Sequence, residues 1–254
     1  MNENIKIQIC KQLKDNYSYI IYSKKFKKAI VIDPSEADPI LKFLELNNLD
    51  LIAVLITHHH SDHTSGIDKI YKNKKVNVYS PNLKIEFSNI KINNNEIIDL
   101  FFIKFKAIFL PGHTNDHVVF YCEEKNILFS GDTIFSLGCG RIFEGSIKDM
   151  YNSLQKINKM PDKTMIFCGH EYTLNNLNFL KSTFPNLKEL DDYSLKINTK
   201  FKDTETTMPF LLGDEKIYNP YLCNKRSIYE KFKSINNYNN LSFFKYIRDL
   251  KDLY

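Results

Sequence analysis

The sequence lacks the segments that place proteins in or across a membrane. Its longest strongly apolar stretches, Leu51–Ile56 and Ile97–Ile103, are far shorter than the ~20 residues that a membrane-spanning helix needs. The first ten residues, MNENIKIQIC, show neither the basic-then-apolar pattern of a signal peptide nor the Arg-rich, acid-free pattern of a transit peptide. We therefore expect a cytoplasmic protein without a membrane partner.

The sequence has few cysteines, and its positive and negative charges nearly balance. The five cysteines are irregularly spaced and form no CxxC pair, which excludes a disulfide framework and predicts free thiols. The formal net charge is +5, which is too mild to predict a nucleic-acid partner but is compatible with a small acidic substrate.

The 254 residues divide into two regions of different pattern. From Ile5 to about His170, short apolar runs alternate with helical stretches, and this alternation predicts a layered α/β domain. We predict a buried strand at Leu51–Ile56, a helix capped near Ser35, and a helix over Ile147–Asn158.

After His170 the pattern predicts amphipathic helices rather than strands. The predicted helices include Leu187–Lys202, Lys225–Ile235 and Leu241–Leu253. We therefore expect an α/β domain over residues 1–171 and a smaller all-α domain over residues 172–254.

The run Thr57–His63, THHHSDH, begins where the predicted strand Leu51–Ile56 ends. Four imidazoles and a carboxylate within six residues are costly to bury unless they bind something. In an extended segment His58 and His60 share one face, whereas Asp62 and His63 follow a turn and point elsewhere. The run therefore supplies two groups of metal ligands, and the alternative is a solvated histidine-rich loop.

Three more short apolar runs are followed at once by a ligand type next to glycine. They precede Pro111-Gly112-His113, Gly131-Asp132 and Gly169-His170. Ligands in α/β proteins gather where strands end, so we expect these side chains to meet the histidine-rich run at one sheet edge.

Five imidazoles and two carboxylates are too many for one metal ion that keeps an open position. They suit two divalent ions, the first held by His58, His60 and His113, the second by Asp62, His63 and His170, with Asp132 as the bridge. No cysteine is in the set, so Zn²⁺ is the first candidate, with Fe²⁺ or Mn²⁺ as alternatives.

With these motifs the sequence resembles the metallo-β-lactamase superfamily and, within it, glyoxalase II, the hydroxyacylglutathione hydrolases. The resemblance rests on THHHSDH, GHT, GDT and CGHEYT in this order, on Asp15-Asn16-Tyr17, Val31–Pro34 and Gly138–Arg141, and on Asn219-Pro220. It implies an αββα sandwich with a binuclear metal site, followed by a helical domain that helps to hold glutathione.

The resemblance also implies roles for individual residues. The metal ligands are the seven residues given above, and Asp62 and Asp132 are the catalytic residues, acting with a metal-bridging hydroxide. The substrate-binding residues are Arg141, Phe143, Tyr172, Arg248 and Lys251. Phe143 stands where many relatives carry Tyr, and Arg141 replaces a Lys found in many relatives.

The activity that the resemblance implies is hydrolysis of S-2-hydroxyacylglutathione, typically S-D-lactoylglutathione, to a 2-hydroxy acid and glutathione. This is the second step of methylglyoxal detoxification. The metal-bridging hydroxide attacks the thioester carbonyl, and the partner is a small-molecule glutathione thioester rather than nucleic acid. We expect a monomer or a weak homodimer.

Three other functions are compatible with parts of the sequence. A mononuclear-iron glutathione persulfide dioxygenase on the same scaffold needs only three ligands and leaves Gly138–Arg141 and the Arg248/Lys251 pair unexplained. A nuclease of the superfamily fits the mild charge poorly. A non-catalytic metal-binding module is the alternative outside enzymes, although a closed structural site needs only four ligands.

Overall fold

The computed structural model describes residues 5–254, and these fall into two compact units. The N-terminal unit contains the chain up to Phe109 together with Asp116–Lys125. The C-terminal unit contains Leu110–Asn115 and Asn126–Tyr254.

A mixed sheet organises the N-terminal unit, with its strands in sequence order. They are β1 (Ile5–Gln12), β2 (Asn16–Ser23), β3 (Lys28–Ile32), β4 (Asp50–Leu55), β5 (Asn77–Ser80) and β6 (Ile90–Lys91). The pairs β1–β2 and β2–β3 are antiparallel, and β3 to β6 run parallel. The segments that follow β3 and β4 therefore leave the sheet at the same edge, and they carry Asp33 and Thr57.

Three helices accompany this sheet: α1 (Ala37–Leu46), α2 (Ser61–Thr64) and α3 (Ile67–Lys74). Apolar residues of α1 and α3, including Ile40, Leu44 and Ile70, share one buried core with Val31 and Val54 of the strands. Burial of such side chains contributes roughly 1.5–3 kcal/mol each, so this core fixes the sheet edge from which the histidine-rich run departs.

The helix predicted to be capped near Ser35 is present, but the Ser35 side chain does not cap it. Helix α1 begins at Ala37, Glu36 occupies the N-cap position, and no side chain caps the helix. The Ser35 hydroxyl instead donates to the backbone carbonyl of Asp62. A long-range bond to the histidine-rich run therefore replaces the local cap that the sequence predicts.

The N-terminal unit also contains a three-stranded antiparallel stretch. Its strands are β7 (Ile97–Asp99), β8 (Lys104–Phe109) and β9 (Val118–Cys122). The Val118 amide donates to the carbonyl of Thr57 over 2.9 Å, which brings His117 beside the histidine-rich run.

The C-terminal unit has its own strands: β10 (Ile127–Gly131), β11 (Ile134–Phe135), β12 (Gly138–Cys139), β13 (Met165–Cys168) and β14 (Phe210–Leu211). Strands β10 and β13 are parallel, so Asp132 and His170 follow strands that end at the same edge. Strand β14 pairs antiparallel with β13 and is a short strand that the all-α prediction for residues 172–254 does not contain.

The helices of this unit are α4 (Ile147–Asn158), α5 (Thr173–Thr183), α6 (Glu189–Thr204), α7 (Leu212–Tyr218), α8 (Glu230–Ile235) and α9 (Asn240–Leu253). Helix α4 has the predicted bounds and begins with a capping box, in which Ser146 and Asp149 satisfy each other's backbone amides. Helix α8 is shorter than the predicted Lys225–Ile235, because Asn224 accepts from the backbone amides of Arg226 and Ser227 in a turn. Within residues 5–254, no helix has both the length and the apolar character that crossing a bilayer requires.

Candidate metal centre

The histidine-rich run forms a cluster of imidazoles in the N-terminal unit. The Nε2 atom of His58 lies 3.1 Å from the Nδ1 atom of His60, and the two rings meet edge to face. His58 is fully buried, and the ring of His117 stacks on it at a centroid distance of 4.9 Å. The buried His117 therefore supports the orientation of the His58 ring.

Asp33, at the end of β3, organises the start of the run. One carboxylate oxygen accepts the Thr57 backbone amide at 2.8 Å, and the other accepts the Thr57 hydroxyl at 2.6 Å. The second oxygen also lies 3.0 Å from Nδ1 of His63, and both side chains are buried. A carboxylate that accepts from one ring nitrogen leaves the other nitrogen available as a ligand, so Asp33 aims Nε2 of His63.

Asp62 is fixed from the β2 strand. The side-chain amide of Asn16 donates to the Asp62 carboxylate at 3.0 Å and to its backbone carbonyl at 3.1 Å. The same carboxylate lies 3.7 Å from Nε2 of His63. The structure thus brings all four predicted ligands of the N-terminal unit into one cluster.

The three predicted ligands of the C-terminal unit also meet. One carboxylate oxygen of Asp132 lies 3.5 Å from Nε2 of His113 and 3.3 Å from Nε2 of His170. All three side chains are almost completely buried. The Asp132 carboxylate lies between the two imidazoles, which come from different segments of the unit.

The hydrogen-bond partners of the imidazoles are those expected around a bound metal cation. Nδ1 of His113 donates to the carbonyl of Arg141 at 2.7 Å, and Nε2 of the same ring faces the Asp132 carboxylate at 3.5 Å. A divalent ion between Nε2 and the carboxylate would be bound by both. Nδ1 of His58 and Nδ1 of His63 have partners of the same kind, the Thr57 hydroxyl and Asp33. Imidazoles tied through Nδ1 and carboxylates aimed at Nε2 are the donor set of a divalent metal site.

Two glycines permit the close packing of the C-terminal group. A Cβ at Gly140 would lie 2.0 Å from the backbone carbonyl of Asp132, and one at Gly112 would lie 2.6 Å from Cα of Met150. Gly112 also has a φ of +148°, a conformation that side chains disfavour. The backbone beside His113 and Asp132 can therefore approach its neighbours only where these residues are glycines.

Two aromatic rings cover the imidazoles of this group. The Tyr172 ring stacks on His170 at 4.7 Å, and the Phe143 ring meets His113 edge to face at 5.3 Å. Phe143 is 59% exposed, so its ring offers an apolar surface to an incoming molecule next to a predicted ligand. It carries no hydroxyl with which to hydrogen-bond that molecule.

The predicted cationic residues of this unit form two groups with different environments. Arg248 is buried and donates to the carbonyl of Cys139 at 3.2 Å and to Asp252 at 2.9 Å. Arg141 is mostly exposed and lies 3.7 Å from the same Asp252 oxygen. Arg248 therefore holds neighbouring segments together, whereas Arg141 extends into solvent.

Lys251 donates to the side-chain carbonyl of Asn175, and its ammonium lies near the rings of Phe179 and Tyr254. Burial of the ammonium, and then the positive charge of Arg248, lower the pKa of Lys251 to about 8. The lysine is thus a half-buried cation that titrates close to neutral pH.

Comparison with known proteins places the chain in a family. The model of the metallo-β-lactamase superfamily matches residues 14–170, and the model of the hydroxyacylglutathione hydrolase C-terminus matches residues 171–254. A hydroxyacylglutathione hydrolase from Buchnera aphidicola subsp. Baizongia pistaciae is 41% identical over 254 residues, covering 98% of this chain and 99% of the relative. The chain belongs to the hydroxyacylglutathione hydrolase family. A member from Dictyostelium discoideum is 37% identical and covers the same shares of the two chains.

Solved structures agree on the fold. ETHE1 from Myxococcus xanthus is 19% identical and superposes with a TM-score of 0.70, covering 96% of this chain and 91% of that one. The predicted fold class, a metallo-β-lactamase αββα sandwich followed by a helical C-terminal region, is confirmed for this member of the hydroxyacylglutathione hydrolases.

Several residues that support the candidate centre were not predicted as site residues. Asp33, Thr57 and Asn16 bond to the predicted ligands through contacts that join β2, β3 and the histidine-rich run. The sequence signal for Asn16 and Asp33 was that both stand in short motifs shared with the family. The bonds themselves depend on the fold and leave no local pattern.

Proposed function

We propose that this protein hydrolyses the thioester of S-2-hydroxyacylglutathione, with S-D-lactoylglutathione as the reference substrate, to a 2-hydroxy acid and glutathione. The observation that carries this proposal is the match of nearly the whole chain, including the C-terminal region, to hydroxyacylglutathione hydrolases. The metal-type donor set in each compact unit supports it.

We further propose that the two clusters act together as one binuclear centre. In this proposal His58, His60 and His113 hold one divalent ion, Asp62, His63 and His170 hold the other, and Asp132 bridges the two. Zn²⁺ is the first candidate, and Fe²⁺ or Mn²⁺ accept the same imidazole and carboxylate ligands. A pair of such ions, when bound, activates water near neutral pH and polarises the carbonyl of the substrate.

The reaction adds water across the thioester and breaks the carbon–sulfur bond. The sulfur leaves as a thiolate and takes up a proton from solvent, so the chain needs no strong general acid beside it. Asp62 and Asp132 contribute as oriented carboxylate ligands rather than as proton carriers. Asn16 holds Asp62 in place for this role.

The substrate-binding residues are proposed to act on the glutathione part of the molecule. Arg141 and Lys251 supply positive charge for the peptide carboxylates, and Phe143 and Tyr172 supply aromatic surface beside His113 and His170. Arg248 is also proposed to bind glutathione, and its bonds to Cys139 and Asp252 support a role in fixing the segment before Arg141.

The remaining predictions on organisation stay part of the proposal. We propose a catalytic domain over residues 1–171 and a glutathione-binding domain over residues 172–254. The cytoplasmic location and the monomeric or weakly dimeric state also stay predictions.

The test compares hydrolysis of S-D-lactoylglutathione with hydrolysis of the same acyl group on coenzyme A, by purified protein whose metal content is measured. We expect rapid release of glutathione and little release of coenzyme A, with two divalent ions per chain. Asp132→Asn should lose both activity and metal, whereas Asp99→Asn, which removes an exposed carboxylate paired with Lys104, should lose neither.

Two results would contradict the proposal. Release of both thiols at similar rates would remove the glutathione specificity. One iron per chain, together with oxygen uptake on a glutathione persulfide and no thioester hydrolysis, would favour the dioxygenase instead.

A further inference from the structure

The small hairpin β11–β12 connects two parts of the C-terminal unit that the proposed function uses. It begins two residues after Asp132, and Arg141 follows it by two residues. The ring of Phe135 on its first strand faces His170 at 6.0 Å and Tyr172 at 5.1 Å. The hairpin therefore connects the segment that carries Asp132 to the segment that carries Arg141.

Polar side chains of α5, α7 and α9, together with Asn219 just after α7, hold this hairpin. Three side chains donate to hairpin carbonyls: Asn176 to Ser136, Asn219 to Phe135 and Gly138, and Arg248 to Cys139. Glu215 accepts from the hydroxyl of Ser136 and the amide of Leu137. Short isolated hairpins are at best marginally stable in water, so these bonds rather than the two-residue strands fix its position.

Glu215 is the only acceptor among these side-chain contacts to the hairpin, as far as residues 5–254 are concerned. Its carboxylate accepts the Ser136 hydroxyl at 2.8 Å, the Leu137 amide at 2.7 Å and the Asn219 amide at 2.9 Å. The side chain is completely buried. Burial raises the pKa of Glu215 to about 7, although the three donors oppose that rise.

The bond pattern leaves Asn219 no alternative orientation. Its side-chain nitrogen donates to Glu215 and to two hairpin carbonyls, while its oxygen accepts the backbone amide of Tyr221 at 3.0 Å. If the acceptor at position 215 were removed, the Leu137 amide would lose its partner in a buried place, whereas the Asn219 amide would keep the two hairpin carbonyls. A buried donor without a partner costs about 1–3 kcal/mol.

The hairpin transmits its position to the candidate metal ligands through Gly140. This residue lies so close to Asp132 that an added Cβ would be 2.0 Å from the Asp132 carbonyl and 3.1 Å from Nδ1 of His113. The carbonyl of the next residue, Arg141, accepts from that same His113 nitrogen. The end of the hairpin is thus in direct contact with two predicted ligands.

We propose that Glu215 is a positioning residue for the hydrolytic reaction, acting as the hydrogen-bond acceptor that fixes the β11–β12 hairpin between Asp132 and Arg141. The inference rests on the proposed function and adds a residue of α7 to the groups that set substrate affinity. Glu215 touches neither substrate nor the reacting atoms. It acts through Leu137, Ser136 and Asn219.

The test uses two replacements of similar size. Glu215→Met removes the acceptor without leaving a large cavity, and Glu215→Gln keeps an oxygen that can accept from Leu137 and Asn219 while its amide faces the Ser136 hydroxyl. Asp214→Leu is the matched control, because it removes the preceding carboxylate of α7, which pairs with Lys196 rather than with the hairpin. If Glu215→Met does not fold, Ser136→Ala removes one of the two contacts between Glu215 and the hairpin and leaves the Leu137 amide bonded to Glu215.

Each variant is loaded with metal, and its kinetics are expressed per metal-containing chain. We expect Glu215→Met to raise KM for S-D-lactoylglutathione about 5- to 10-fold, with Ser136→Ala intermediate and Glu215→Gln and Asp214→Leu near the wild type. Hydrogen exchange of the Leu137 amide should accelerate about tenfold in Glu215→Met, while amides of α4 keep their rates. If Glu215 only stabilised the fold, Glu215→Met would lower the melting temperature but leave KM unchanged.

Other outcomes overturn the inference in separable ways. Unchanged Leu137 exchange in both Glu215→Met and Ser136→Ala would show that Glu215 does not hold the hairpin. Faster exchange with unchanged KM would remove its role in positioning. If the wild type itself releases no glutathione from S-D-lactoylglutathione, the proposed function fails and the positioning role fails with it, and the exchange data alone decide whether Glu215 holds the hairpin.

Discussion

Replacing Asp33 by Asn tests how the fold prepares its candidate ligands. The Asp33 carboxylate accepts three donors: the backbone amide of Thr57, its hydroxyl, and Nδ1 of His63. An asparagine has only one oxygen for these contacts. If its amide group faces His63, the imidazole must accept there and carry its proton on Nε2, the nitrogen that would bind metal.

If the asparagine amide turns the other way, it faces the backbone amide of Thr57, and two donors oppose each other in a buried place. Either arrangement weakens the site without removing a ligand. Loss of a partner of this kind typically lowers metal affinity about 10- to 100-fold, which corresponds to about 1.4–2.7 kcal/mol. We expect Asp33→Asn to show a decrease of this size.

The assay is competition with a chelator of known affinity, with Zn²⁺ as the metal and the apo-protein of each variant as the starting point. Asp50→Asn is the matched control, because it removes an exposed carboxylate of the same sheet that pairs with Lys28 at 3.1 Å. Wild-type zinc affinity in Asp33→Asn would refute the reasoning, and an equal loss in both variants would indicate a general effect of charge.

Three further predictions address other parts of the site. Asp132→Asn should lower kcat by more than a hundredfold and release metal during dialysis, as measured by initial rates and elemental analysis. Because the pKa of Lys251 is lowered to about 8, its charge is present below that pH and lost above it. KM for the anionic thioester should therefore rise between pH 7 and pH 9. Lys251→Arg, which keeps its charge, should abolish that rise. Gly140→Ala should reduce both metal content and kcat/KM at least tenfold, because its Cβ would overlap the Asp132 carbonyl, and wild-type values would show that the backbone yields there.

Features encoded by local patterns could be predicted from the sequence. The Leu51–Ile56 run forms strand β4 (Asp50–Leu55), and helix α4 has the predicted bounds with Ser146 as its cap. Both follow from the period of apolar residues and from capping chemistry within one turn. In the C-terminal unit, Asp132 and His170 lie close together because they follow the parallel strands β10 and β13.

Features that depend on long-range bonds could not be predicted in the same way. Ser35 is a good N-cap by its chemistry, yet its hydroxyl bonds to Asp62, which is 27 residues away. Glu215 stands in an ordinary amphipathic stretch, and only the fold brings it to the Ser136–Leu137 turn. Hydrogen bonds between distant segments compete with local ones, and the sequence does not display which will form.

The central claim is the proposal that the seven predicted ligands hold a pair of divalent ions, with Asp132 as the bridge. Anomalous X-ray diffraction from crystals of the zinc-loaded protein tests this claim most directly. The account predicts two zinc peaks per chain, with an Asp132 oxygen within about 2.0–2.2 Å of each and His58 and His170 on different ions. A single peak held by the ligands of one unit alone, with Asp132 bound to no zinc, would contradict it.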